Sequence, residues 1–256
     1  MDMKLKNKIA IITGGSRGIG AAFAVGYAKE GAKLLIADVI DGNDTVNAVV
    51  KAGSEAIFVK TDVTSQVQCH AMVKSAADHF GTIDILVNNA ALYASIIKRS
   101  FADITTEEWN RVMEVNTTGP FHCTKAVFPY MRKKGGKIIN VASSIVFEGA
   151  PGMPHYVASK GAVVAFTRCM ARELGAYNIN VNSLAPGYTQ SEASKKIQRN
   201  RQDGGMDPES MMVQRRCLKR AEYPEDLVGT AVFLASDMSN FISGQLILCD
   251  GGCSFN

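Results

Sequence analysis

Ile9-Ala10-Ile11-Ile12, followed by Thr13-Gly14-Gly15-Ser16-Arg17-Gly18-Ile19-Gly20, is the stretch on which the fold turns. A short apolar run leads straight into a glycine-rich turn, and an Ala-rich helical segment follows. Glycine lets backbone amides approach a pyrophosphate closely, and a helix N-terminus adds a field that favours an anion. A glycine cluster alone says little. A strand before it and a helix after it supply the context that gives it meaning, the bland alternative being a merely tight strand–helix turn.

The same rhythm continues outward from this point. Short runs rich in Ile, Val and Leu mark candidate strands at Ile9–Ile12, Lys33–Ala37, Ala56–Lys60, Ile85–Val87, Lys137–Val141, Asn180–Leu184 and Gln245–Cys249. Such runs suit a parallel sheet buried on both faces. Between them, Ser65-Gln66-Val67-Gln68 and Thr105-Thr106-Glu107-Glu108 match capping boxes. Pro224-Glu225-Asp226 makes a good first helical turn. Gly31, Gly53 and Gly81 stand where helices should stop. The alternation predicts an α/β doubly wound fold with right-handed crossovers, and 256 residues suit a single domain. The irregular stretch from Tyr188 to Tyr223 reads as an inserted substrate lid.

Composition narrows the function classes. The chain is 46% hydrophobic and 20% charged, ordinary for a globular protein. No apolar stretch approaches the ~20 residues of a membrane span, and the run after Lys8 is too short for a signal segment. The expectation is a soluble cytoplasmic protein. Six scattered cysteines without a Cys-x-x-Cys pair, and four histidines away from ligand spacing, argue against disulfides and metal. A net charge of +4 is too slight to indicate nucleic acid.

Asp38 ends the second candidate strand, 18 residues beyond Gly20. A carboxylate there can accept both ribose hydroxyls of NAD and would repel the 2′-phosphate of NADP. Arg17 is the counter-signal, because an Arg nearby could hold that phosphate.

At this point the chain resembles the short-chain dehydrogenase/reductase family. The resemblance rests on Thr13-x-x-x-x-Gly18-Ile19-Gly20, Asn88-Asn89-Ala90, Asn116, Ser143, Tyr156-x-x-x-Lys160, Pro186-Gly187 and Asp250-Gly251-Gly252, in that order along nearly the whole chain. It implies a Rossmann-like domain with seven strands in the order 3-2-1-4-5-6-7, and assembly as a tetramer. It places Gly14, Ser16, Arg17, Gly18, Ile19 and Gly20 at the cofactor. By the same likeness Asp62 and Val63 would hold the adenine, Asn89 and Ala90 would lie along the cofactor, and Pro186, Gly187 and Tyr188 would flank the nicotinamide. Asn116 would sit in a long helix and bind a water linking Lys160 to solvent. Ser191 stands where the family commonly carries Thr.

The residues themselves carry a chemistry. Tyr156 and Lys160 at i, i+4 share one helix face. Phenol, with an ordinary pKa of ~10, is a poor base at neutral pH, and a nearby ammonium favours phenolate. Tyr156 is then the general acid/base for the substrate oxygen, and the resemblance gives Lys160 the nicotinamide ribose as well. Ser143 and its rival Ser144 could each orient that oxygen; the family spacing favours Ser143. Tyr93, Ile145, Phe147, Met153, His155 and Tyr188 are pocket candidates by position. The lid is positive by three, carrying Lys195, Lys196, Arg199, Arg201, Arg215, Arg216, Lys219 and Arg220 against five acids, which suits an anionic substrate tail such as a carboxylate or CoA thioester.

The leading expectation is an NAD-dependent oxidoreductase moving a hydride between nicotinamide and a secondary alcohol or ketone of a small molecule. An NADPH-dependent 3-oxoacyl reductase is the second reading. A non-catalytic subunit paired with a homologous active one is the third.

Overall fold

A computed structural model describes residues 3–192, 194 and 208–255. Seven strands form one sheet: β1 (Ile9–Thr13), β2 (Lys33–Asp38), β3 (Ala56–Lys60), β4 (Ile85–Asn88), β5 (Gly136–Val141), β6 (Ile179–Pro186) and β7 (Leu246–Cys249). Their order is β3-β2-β1-β4-β5-β6-β7, and every neighbouring pair is parallel. The seven expected strands are all present, β3 with the expected ends and the others with ends shifted by at most two residues. β6 is the most extended, running through Pro186.

Side-chain alternation divides the sheet into two apolar layers. Ile12, Ile36 and Val87 pack with Phe23 and Tyr27 of α1 (Gly18–Lys29) and Leu227 and Leu234 of α9 (Pro224–Ala235). Ile11, Leu35, Leu86 and Ile138 face the other way. They meet Met72 of α3 (Gln66–Phe80), Val127 and Met131 of α5 (Gly119–Met131) and Leu174 of α7 (Pro154–Leu174). Burial on both faces explains why these strands read as continuous hydrophobic runs. The hydroxyl of Tyr27, buried in this core, donates to the Ala231 carbonyl at 3.0 Å.

Helix ends follow their sequence signals in part. Ser65 and Thr105 each accept the N–H three residues on, at 3.3 and 3.2 Å. The reciprocal arm of each expected box goes elsewhere: Gln68 accepts from the Asp62 N–H, and Glu108 turns toward Arg99 and His155. Gly81 closes α3 in left-handed backbone, φ 82°. The remaining helices are α2 (Asn43–Lys51), α4 (Thr106–Met113), α6 (Ile145–Glu148) and α8 (Pro208–Arg215). A π-turn, Glu114–Thr118, joins α4 to α5. Strand order reverses at β1, whose neighbours β2 and β4 lead their chains to opposite faces. A crevice opens at the carboxyl ends of β1 and β4, where such sheets bind their ligands.

Candidate active site

The crevice is a cleft of about 660 Å³. It runs from Gly14, Gly18 and Asp38 past Asp62, Val63, Asn89 and Ala90 to Ser143, Tyr156, Lys160 and Tyr188.

At two positions of the glycine turn a side chain has no room. A Cβ on Gly14 would fall 2.7 Å from the Ala90 Cα, and one on Gly20 would fall 2.2 Å from the Gly14 carbonyl oxygen. Gly18 has φ 56° and lines the cleft. Gly20 does not line it. It instead lets α1 press against Gly14 and the Asn89 side chain. Ser16 is also off the cleft wall, and its N–H donates to Asp38 Oδ2 at 3.1 Å. The Ile40 N–H donates to Asp38 Oδ1 at 3.3 Å, so both carboxylate oxygens are held by main-chain donors at the end of β2. Arg17 lies on the rim, 4.0 Å from Glu192.

Thr13, which the sequence marks as the head of the glycine motif without giving it a role, ties β1 to β4. Its Oγ1 accepts the N–H groups of Asn89 and Ala90, each at 3.1 Å, and donates to the Val87 carbonyl. Asn89 Nδ2 returns to the carbonyls of Thr13 and Gly14 at 3.0 and 2.9 Å. At Asp62, burial works against the charged form. Two hydrogen bonds from Thr64, through its N–H and Oγ1, outweigh it and hold the carboxyl below the usual range.

Tyr156 and Lys160 share the inner face of α7. Burial pushes the Tyr156 phenol up, with Tyr93 adding to the rise and the nearby Ser143 hydroxyl opposing it. Both Ser143 and Ser144 line the cleft, and Ser143 is the one whose hydroxyl acts on the phenol, favouring its ionised form. The Tyr93 ring stands 5.0 Å from that of Tyr156. Lys160 Nζ donates to the Val141 carbonyl at 2.7 Å and lies 5.8 Å from the Tyr156 ring centroid. Burial alone pushes the Lys160 amine down to about 8.

Asn116 is fully buried in the π-turn. π-turns recur where a helix must place a side chain out of its ordinary register. Its Oδ1 accepts the Leu92 N–H at 2.7 Å, and its Nδ2 donates to the Leu92 carbonyl and to Ser159 Oγ. Ser159 Oγ in turn donates to the Tyr156 carbonyl at 2.8 Å. Asn116 therefore clamps the 89–94 segment to α7. Ser159 carried no signal in the sequence.

At the substrate end, Tyr93, Ile145, Met153 and Tyr188 line the cleft as expected, and Phe147 and His155 do not. Phe147 points outward, 43% exposed, because the single turn of α6 carries it to the far side. His155 is buried against α4, its Nε2 3.6 Å from Glu108. Among the lid cations, Lys195, Lys196, Arg199 and Arg201 lie outside the described residues. Arg215 pairs with Glu148 at 2.6 Å and Arg220 with Asp226 at 2.6 Å. Lys219 donates to the Gln214 carbonyl. Arg216 is buried and structural, donating to Glu222 and to the carbonyls of Tyr188, Arg220 and Asp250. Glu222, whose carboxyl burial pushes up, also accepts from Thr189 Oγ1 at 2.6 Å. No group of three or more His, Cys, Asp or Glu among the described residues could hold a metal ion. No described helix is long and apolar enough to cross a membrane.

A doubly wound sheet with a glycine turn at its switch point, and a buried Tyr–Lys pair facing it, defines an oxidoreductase of the Rossmann type. The chain belongs to the short-chain dehydrogenase/reductase family. The family model described as enoyl-(acyl carrier protein) reductase matches residues 14–254. Galactitol 2-dehydrogenase of Agrobacterium fabrum is 40% identical over 98% of both chains. The 2-dehydro-3-deoxy-D-gluconate 5-dehydrogenase of Dickeya dadantii is 37% identical over 97% of this chain and 96% of its own. A solved short-chain type dehydrogenase/reductase from Mycobacterium marinum superposes with a TM-score of 0.90 at 32% identity, covering 100% of this chain and 98% of its own. The chain is accordingly an oxidoreductase of alcohol and keto groups.

Proposed function

We propose that the protein is an NAD-dependent dehydrogenase of a small secondary alcohol, working reversibly on the matching ketone. One observation carries the cofactor choice: both oxygens of Asp38 are held by the Ser16 and Ile40 N–H groups at the cleft wall. A carboxylate so fixed presents its remaining lone pairs to two ribose hydroxyls and repels a phosphate in the same place. Gly14, Gly18 and Ile19 would cradle the pyrophosphate, Asp62 and Val63 the adenosine, and Pro186, Gly187 and Tyr188 the nicotinamide.

The bound nicotinamide supplies hydride acceptance at carbon. The chain supplies the proton path. Tyr156 takes the hydroxyl proton as the alcohol is oxidised and returns it when a ketone is reduced. Ser143, which lines the cleft with that phenol, orients the substrate oxygen. Lys160 lends positive charge beside Tyr156 and favours phenolate. A water at Asn116 would link Lys160 to solvent, and residues 188–223, of which 193 and 195–207 lie outside the described residues, would form the lid. A homotetramer is part of the same reading, as is, alternatively, assembly with a homologous subunit.

Two relatives named for a sugar alcohol and a keto sugar acid support a small hydroxylated substrate. The second reading, an NADPH-dependent 3-oxoacyl reductase, is favoured by Arg17 on the cleft wall and by a 34% identical 3-oxoacyl-[acyl-carrier-protein] reductase of Thermotoga maritima. Fluorescence titration with NADH and NADPH separates the two. Tighter NADH binding that weakens in Asp38→Asn supports the first; tighter NADPH binding that weakens in Arg17→Ala replaces it with the second.

A further inference from the structure

One end of the cleft is left unused by this chemistry. Beyond Ser143, the chain makes the single turn of α6 and ends it at Glu148. Glu148 Oε2 accepts from Arg215 Nη2 at 2.6 Å, and its Oε1 accepts from Ser254 Oγ at 2.6 Å. Glu148 and Arg215 both line the cleft, next to Met211 and Met212 of α8. Three distant segments thus meet at the mouth: α6 from the catalytic serine, α8 from the lid, and the C-terminal segment. The last is held by Asp250, which accepts the N–H groups of Gly252, Cys253 and Ser254.

We propose that Glu148 and Arg215 are the specificity pair of the substrate site, reading the distal hydroxyls of a neutral open-chain polyol. This rests on the dehydrogenase reading above and names its substrate class. An ion pair with no net charge offers strong acceptors on Glu148 and a fork of donors on Arg215. Vicinal hydroxyls, each a donor and an acceptor, satisfy both at once without separating the charges. A substrate carboxylate reaching for Arg215 would instead stand against Glu148, and like charges at such range repel. Lys98, an exposed cation on the cleft wall as Arg17 and Arg111 are, is the feature at this end that would favour an acid instead.

The test is a comparison of kcat/KM on the full chain with NAD for three compounds of equal length: a hexitol, 1,2-hexanediol and the corresponding hexonate. The hexitol should exceed both others at least tenfold. Glu148→Gln keeps an acceptor for Ser254 but removes the charge. It should shrink the hexitol-to-diol ratio at least tenfold, chiefly through KM, while thermal unfolding stays near that of the parent. Arg215→Gln should do the same. Calorimetric binding of the three compounds should follow the same order. Equal use of hexitol and diol, or a ratio unmoved by both variants, overturns the proposal and leaves the dehydrogenase standing. Preference for the hexonate that disappears in Lys98→Ala also overturns it. No turnover of any of the three, or of simpler secondary alcohols, with NAD or NADP removes the catalytic reading and this one with it.

Discussion

From Gly14 to Ala90 the cleft is held largely by main-chain atoms. Asn89 and Thr13 lace the ends of β1 and β4 through backbone groups, and Asp38 is fixed by two N–H donors. From Glu148 onward it is held by side chains reaching across the sequence: Ser254 to Glu148 over 106 positions, Arg215 to Glu148, and buried Arg216 to Glu222. The first construction is rigid, and it suits a cofactor shared by many reactions. The second can change partner by partner without disturbing the sheet, which suits a substrate end.

The Tyr–Lys pair lies between the two ends and should give the largest effect. Tyr156→Phe is expected to lower kcat by about 10²–10⁴-fold while NADH affinity is retained, measured by steady-state kinetics and fluorescence titration. Activity near that of the parent would mean that the proton leaves by another group.

At the side-chain end, Arg216→Met leaves Glu222 buried without its cation. Breaking a buried pair from one side costs about 3–5 kcal/mol, to be read from urea unfolding, and Arg216→Met combined with Glu222→Leu should recover much of it. A loss under 1 kcal/mol would dissolve the contrast, since this end would then not depend on its charge pair.

Lys160→Met tests the cost of the site itself. Burial holds the amine at about 8, below its ordinary 10.5. Between those values the unfolded chain binds a proton that the folded one lacks, so the stability of the parent rises with pH through this window. Below it the full penalty, about 3 kcal/mol by order of magnitude, is present. Lys160→Met should therefore be inactive yet melt higher at pH 7, and its advantage should shrink between pH 8 and 10.5. A lower melting temperature at pH 7 would show that the bond to Val141 outweighs desolvation.

The smallest effect belongs to the main-chain end. A methyl at Gly20 would meet the Gly14 carbonyl oxygen, and Gly20→Ala should cost about 1–3 kcal/mol with a matching loss of NADH affinity. Unchanged NADH binding would separate the packing of α1 from the cofactor site.

Legibility in the sequence follows the same division. Main-chain constraints leave marks that one strand of letters can show: glycines where backbones touch, Ile and Val runs where strands are covered twice, and Asp38 at a strand end. The order of the strands came through resemblance, since periodicity alone places no strand beside another. Side-chain pairs leave no such mark. Arg216 read as one more lid cation and proved to be a buried strut, because burial of a charge depends on partners, here Glu222 and three carbonyls, that lie elsewhere in the chain. Phe147 is a pocket candidate by its position in the sequence, yet the turn of α6 rotates it out. Ser159 acts through Asn116 and the Tyr156 carbonyl, contacts visible once the Glu114–Thr118 turn is packed on α7.

The position of β1 at the switch point also governs how the protein is made. β1 is central, and its second partner, β4, arrives late: the Ile9 N–H reaches Asp84 across 75 positions. During synthesis the β1–β2 pair must wait with one bare edge until β4 has left the ribosome, and closing so long a loop is slow. The cofactor turn at the tip of β1 is unfinished for that same interval, because Asn89 and Ala90, which brace it, follow β4. Until then the nascent chain carries an open central edge and no finished nucleotide turn, so nucleotide can aid folding only after residue 90 has emerged.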